Sequence, residues 1–416
     1  MNRLITIFAV LSLLFILSMF YRISSGIIAP SLMTDLHLSA ETLGILGGAF
    51  FYSFALFQIV LGPLLDRVGP RFVILCCSVV GAGGSILFSQ AQDFFGATLG
   101  RVLMGVGMAA MLMGSFKVFT LYFPSKSFST LAGLFVSFGY VGTMAAASPL
   151  AYVAAMSGWR ITFVWTAAVT LLLGITAFLV LNVRRETVHN PVTANTQLLN
   201  LRTSTRLILG SLSFWQIAIT AFVRYGTFVS LQGMWLGLYL MDARGFSPIK
   251  AGNVLIFLSI GNACGGPLAG AIVDRAHCSE KQVAFTGLVL YCFLLFYLTA
   301  GWKMESEFSY VLLSFCLGFF HAAGTLLYAH AKELFPLSIA GTAMAWVNFC
   351  MTLGSAVLTT LFGKIVALFP RTGGSYPAAA YKTCFLICSL VMAAGLLFYS
   401  FSRSKGCNAL DKALLK

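Results

Sequence analysis

The chain has 416 residues, 59% of them hydrophobic and 9% charged, with a mean hydropathy of +0.92. That balance excludes a soluble domain, which could not bury so much apolar surface, and makes the lipid bilayer the expected solvent. The formal net charge of +14 would suit a nucleic-acid binder, but the basic residues gather beside one set of loops, which is the signature of membrane topology instead.

Uninterrupted apolar runs predict twelve spans, at 4–29, 41–65, 71–90, 94–122, 126–156, 159–183, 211–241, 248–273, 281–302, 307–334, 338–369 and 378–403. The first follows Arg3, has no small-x-small cleavage site and stays apolar to Pro30, so it is expected as an uncleaved helix rather than a signal peptide. It carries Tyr21 and Arg22 in its second half. Ser39 and Thr42 supply a cap for the second span, which holds Tyr52 and Gln58 and ends in the charged turn Gly62-Pro-Leu-Leu-Asp66-Arg67-Val-Gly69-Pro-Arg71. Glycine at 62 and 69 is expected to let helices approach and the backbone turn, with Asp66 near a helix N-terminus and Arg67 and Arg71 at lipid headgroups. The fourth span contains Gly100-Arg101-Val-Leu-Met-Gly105-Val-Gly107 and runs through Lys117 to Pro124. The fifth is crowded with small residues, Gly133, Gly139 and Gly142 among them, flanks Tyr140, and reaches Pro149. Gly158-Trp159-Arg160 opens the sixth.

The polar stretch 184–210 reads as a cytoplasmic linker. Beyond it the chain restates itself. Leu121-Tyr122-Phe123-Pro124 matches Glu333-Leu334-Phe335-Pro336, and the same offset superposes Thr130 on Thr342 and Gly142 on Gly354. Gly265-Gly266-Pro267-Leu-Ala-Gly270-Ala-Ile-Val-Asp274-Arg275 repeats the charged turn in degenerate form. The predicted architecture is an all-α integral membrane protein, with twelve transmembrane helices in two pseudo-symmetric six-helix bundles: 1–183, the linker 184–210, 211–403, and a cytoplasmic tail 404–416. Basic residues such as Arg184, Arg185, Arg202, Arg206 and Arg403 place both termini in the cytoplasm. The ten cysteines avoid the outer loops, so no disulfide framework is expected.

The Gly-x-x-x-Asp-Arg-x-Gly-x-Arg turn, its echo in the second half, the Arg101-x-x-x-Gly105 pattern and Gly158-Trp159-Arg160 together resemble the major facilitator superfamily of transporters, over essentially the whole chain. The resemblance implies alternating access around a central site, a clamping or gating role for Gly62, Asp66, Arg67, Gly69, Arg71, Arg101, Gly105, Asp274 and Arg275, and a multi-pass position in a bacterial inner membrane. No nucleotide loop, metal cluster or catalytic constellation is present in the sequence, so the chain is not expected to be an enzyme or to need a cofactor. Membrane lipids and a small solute are the expected partners, with no nucleic acid, and the chain is expected to function as a monomer.

Charges deep in a span are costly and therefore informative. Arg22, Arg101, Lys117, Arg224 and Lys364 lie within spans, whereas no Asp or Glu is comparably deep in the sequence. Arg22 and Arg224 sit on the first helix of each half, where two guanidinium forks would face one anionic ligand. Tyr21-Arg22 and Val223-Arg224-Tyr225-Gly226 further resemble the organophosphate and organic anion branch of the superfamily, whose arginine pair binds the anionic group. Gln58 and Gly139 stand where that branch carries a lysine and a histidine, which favours a monocarboxylate or zwitterion over a dianionic phosphate ester; the expected substrate is a small organic anion, a carboxylate or a modestly charged phosphate compound. The candidate substrate-binding residues are Arg22, Arg224, Tyr21, Tyr225, Gln58, Tyr52, Tyr140, Gln232 and Trp235; His321, His330 and Lys117 are candidates for coupling. The alternatives are a proton-coupled carrier of zwitterions such as amino acids or short peptides, a drug or metabolite efflux carrier, and a non-transporting receptor on the same fold.

Overall fold

A computed structural model describes residues 2–123, 128–181, 201–276, 279–300, 306–371 and 373–402. The helices in chain order are α1 (Asn2–Ile27), α2 (Ala29–Asp35), α3 (Ala40–Arg67), α4 (Pro70–Gln90), α5 (Phe94–Tyr122), α6 (Phe128–Ala145), α7 (Ser148–Ser157), α8 (Trp159–Val180) and α9 (Leu201–Leu209). They continue as α10 (Leu212–Ser230), α11 (Leu236–Arg244), α12 (Pro248–Ala276), α13 (Glu280–Ala300), α14 (Glu307–Ala322), α15 (Leu326–Leu334), α16 (Leu337–Ala367) and α17 (Ala378–Ser400). Most of the expected linker, and the tail, lie outside the described residues.

Local chemistry sets the boundaries. Ser39 caps α3 by accepting from the Thr42 N–H at 3.2 Å, and Asp93 caps α5 by accepting from the Gly96 N–H at 2.7 Å. Between α3 and α4 the chain reverses at Gly69, whose φ of +89° is closed to ordinary side chains, and Pro70 opens the next helix where its missing N–H is harmless.

Among the described residues, ten helices are long and apolar enough to cross a membrane. The pair α6 and α7 makes an eleventh span, bent by 42°. Pro149 is the cause, because it has no N–H to offer and its ring crowds the carbonyl of Ala145. The seventh expected span is α10 and α11 joined through a π-helical turn, Leu231–Trp235. The tenth is likewise interrupted, by the 3₁₀ turn Ala323–Thr325 between α14 and α15.

Packing groups the chain into two compact units, Met1–Val188 with Val229–Ile256 and Ala356–Tyr381, and His189–Phe228 with Phe257–Ser355 and Lys382–Lys416. In the first, α1 lies against α6 so closely that a Cβ on Gly142 would fall 2.0 Å from the Ile16 carbonyl oxygen. Gly105 of α5 is pressed onto α3, 2.3 Å from the Phe50 oxygen by the same measure. In the second unit, Gly354 of α16 meets the Phe222 oxygen of α10 at 2.1 Å, and Gly318 of α14 meets the Leu258 oxygen of α12 at 2.0 Å. Each pair in the second unit restates one in the first: the duplication read from the sequence is a duplication of helix contacts, made by small residues where no hydrophobic force sorts helices.

The first unit also holds a tight seam on the Asp35 side of the helices. A Cβ on Gly26 of α1 would lie 2.2 Å from the Gly233 oxygen, and one on Gly44 of α3 would lie 2.8 Å from the Gly363 Cα of α16. The Ala40 N–H donates to the Tyr376 hydroxyl at 3.1 Å, while Asp242 accepts from the Tyr376 N–H at 3.0 Å and from the Tyr381 hydroxyl at 2.5 Å.

Candidate functional site

In the first unit α1 and α5 each carry a buried arginine, and the one on α5 reaches the backbone of α1. Arg22 is 8% exposed and lies 4.3 Å over the Phe54 ring. Arg101 is wholly buried, 4.9 Å over Phe50, and its Nη1 donates at 2.7 Å to the carbonyl of Tyr21, the peptide that leads into Arg22. Its Nε and Nη2 have no hydrogen-bond partner among the described residues. Each of the two cations lies against an aromatic face, a favourable place for a guanidinium group. Tyr21 itself points into the bundle, its hydroxyl 3.2 Å from Thr170 Oγ1 of α8. Tyr52, Gln58 and Tyr140 are half-buried on α3 and α6. Gln232 and Trp235 are buried in the π-helical turn, where Trp235 Nε1 donates to the Thr359 carbonyl at 3.2 Å.

The second unit gathers polar and aromatic groups around Arg224 of α10, which is 2% exposed. Its Nε donates to the His321 carbonyl at 3.2 Å, at the end of α14. The His321 ring lies flat on Phe228, 3.7 Å between centroids and 7° from parallel, with Tyr291 edge-on at 5.5 Å. Its Nδ1 is 3.3 Å from Asn262 Nδ2, and its Nε2 has no hydrogen-bond partner among the described residues. Tyr225 is half-buried with its ring 6.4 Å from that imidazole. His330 is apart from this group, buried on α15 with Nδ1 2.8 Å from the Tyr399 hydroxyl.

Several expectations need correction at the charged turn. Lys117 is not an isolated buried charge: its Nζ is 2.7 Å from Asp66 Oδ1, and the two side chains are 39% and 66% exposed. The pair could not be foreseen, because it joins α5 to the end of α3 across 51 residues. Arg71, expected at headgroups, donates to the Phe178 carbonyl at 2.9 Å and stacks 3.8 Å over the Phe178 ring, tying α4 to α8. Gly62 is no point of close approach, since a Cβ there would meet nothing within 4 Å. Arg67 and Arg275 are exposed, and the side chain of Asp274 lies outside the described residues. At the other end, Asp35 accepts from Trp159 Nε1 at 2.9 Å and from Arg160. That Trp159 hydrogen bond, assisted by Arg160, holds the Asp35 carboxyl below the usual carboxylate range against a desolvation that works the other way.

The sequence missed Tyr291, whose hydroxyl is 3.1 Å from Thr227 Oγ1, and Gly324, which lies against the Arg224 side chain. No local pattern marks either. Among the described residues no three His, Cys, Asp or Glu side chains are grouped to hold a metal ion.

The chain as a whole is similar to known transporters. The protein named probable sulfoacetate transporter SauU of Cupriavidus necator is 24% identical over 421 residues, covering 94% of this chain and 92% of its own length. The hexuronate transporter of Escherichia coli is 23% identical over 389 residues, covering 86% of this chain and 85% of its own. The crystal structure of a D-xylose-proton symporter superposes with a TM-score of 0.75 at 15% identity, covering 96% of this chain and 98% of that one, and so shares the fold. The model of the Major Facilitator Superfamily matches residues 10–358 and 259–412, and the chain belongs to that family.

Proposed function

We propose that this protein is a secondary active transporter that carries a small organic anion across the bacterial inner membrane by alternating access of the halves 1–183 and 211–403, as a monomer with both termini cytoplasmic. The observation that carries the reading is the burial of Arg22, Arg101 and Arg224 at 8%, 0% and 2% exposure within membrane-spanning helices. Arginines buried within membrane spans are costly and are kept where they serve a cavity, a partner or a pathway, which supports a role for these groups in handling an anion. A guanidinium fork fits a carboxylate, sulfonate or phosphate oxygen pair. The relatives named for sulfoacetate and for hexuronates carry solutes bearing such groups, in line with a carboxylate or a modestly charged phosphate compound here.

Uptake into proteoliposomes tests the reading. With purified chain, labelled glucuronate, galacturonate or sulfoacetate should enter saturably against an excess of the same anion inside, and uptake should fall when Arg22 or Arg224 is replaced by Gln. Counterflow of amino acids or short peptides without any of these anions would support the zwitterion carrier instead. Binding without counterflow would mark a receptor. Uptake driven by a proton gradient that is lost on replacing His321 or His330 by Ala would give that histidine the coupling role, whereas exchange of one anion for another needs no titrating carrier.

A further inference from the structure

The tenth span is interrupted at a glycine. Phe320-His321-Ala322-Ala323-Gly324-Thr325-Leu326 contains no proline, and two adjacent alanines favour a continuous α-helix, yet Ala323–Thr325 is a 3₁₀ turn. Two neighbours crowd the turn. On one side is the Arg224 side chain of α10: a Cβ on Gly324 would fall 2.3 Å from its Cδ, 2.3 Å from its Nε and 2.8 Å from its Cζ. On the other side is α13, where a Cβ on Gly287 would fall 2.3 Å from the Ala323 Cβ. The turn thus has the Arg224 side chain against Gly324 and α13 against Ala323.

We infer that Gly324 is a positioning residue for substrate, acting through Arg224; the inference rests on the anion-binding role given to Arg224 above. The missing Cβ opens a seat on the backbone of the turn. The seat leaves Arg224 Nε donating to the His321 carbonyl at 3.2 Å, which fixes the plane of the guanidinium and so the direction in which its remaining N–H groups point. A short interruption of this kind inside a helix is characteristic of functional sites. A Cβ at 324 would overlap Arg224 Cδ, Nε and Cζ, and the arginine, as a flexible side chain, is the group that must shift.

Gly324→Ala is the test, with Gly341→Ala as control, since a Cβ at 341 meets nothing within 4 Å. Alanine is the better helix former, so loss of function through unfolding is not expected. For whichever of glucuronate, galacturonate or sulfoacetate the unaltered chain carries, KM should rise at least about tenfold in Gly324→Ala while maximal rate stays within about threefold, since a misdirected fork weakens binding. The control should match the unaltered chain. A structure of Gly324→Ala should show the Arg224 Nε to His321 oxygen contact broken. A KM within twofold of the unaltered value, or retention of that contact, overturns the inference. If the unaltered chain carries none of the three anions, the transport reading fails, and the contact in the variant structure still decides the role of Gly324.

Discussion

The seam on the Asp35 side offers the sharpest perturbation. In Gly26→Ala the new methyl would lie 2.2 Å from the Gly233 oxygen, 2.6 Å from the Gly233 carbon and 2.9 Å from the Met234 Cα, all backbone atoms of the π-helical turn. None can rotate away as a side-chain end would, so α1 and the turn must part by roughly 1 Å to recover ordinary contact. Overpacking of this kind costs about 1–3 kcal/mol. In an alternating-access protein the cost falls on the conformation that holds the seam closed, so the population with the seam open should rise by roughly 5- to 150-fold. A cysteine at Ser25, which is 2% exposed, reports this. Its labelling by a membrane-impermeant maleimide from the Asp35 side should accelerate by that factor in Ser25→Cys with Gly26→Ala, relative to Ser25→Cys alone. An unchanged labelling rate in a folded double variant would refute the link between this glycine contact and closure.

Other outcomes follow from the ends of the helices. Lys117→Met should lower thermal stability by less than about 1 kcal/mol, because the Asp66 pair is largely exposed, and the small loss should vanish in high salt. A loss of several kcal/mol would mean that the pair is buried. The carboxyl of Asp35 is depressed by Trp159 and Arg160, so its contribution is present above its unfolded pKa of about 3.9 and is lost as pH falls through the folded value. The Asp35→Asn variant should therefore be slightly less stable than the unaltered chain at pH 7, by under about 1 kcal/mol given an exposure of 38%, and the gap should close below about pH 4. A gap that widens in acid would contradict the assignment.

Hydropathy alone made the twelve spans legible, and the glycines at 142 and 354 made the repeat legible, because both depend on short-range composition. What escaped were features that bring distant residues together. The π-helical turn Leu231–Trp235 and the 3₁₀ turn Ala323–Thr325 each hold one glycine and no proline, and the Arg224 side chain that lies against the latter comes from about 100 residues away. Lys117 was misread as deep for the same reason, since Asp66 reaches it only in the folded bundle. Arg22 and Arg224 were singled out correctly as buried cations, but their register in the repeat was not legible. Gly142 against Ile16 and Gly354 against Phe222 make Ser18, not Arg22, the counterpart of Arg224, one helical turn away.

Ligand-induced thermal stabilisation of the purified chain measures the anion claim most directly. Glucuronate, galacturonate or sulfoacetate at about 100 times its dissociation constant should stabilise the unaltered protein by about 2.7 kcal/mol, and the gain should disappear in both Arg22→Gln and Arg224→Gln. Stabilisation that survives intact in both variants would contradict the claim that these guanidinium groups hold the transported anion.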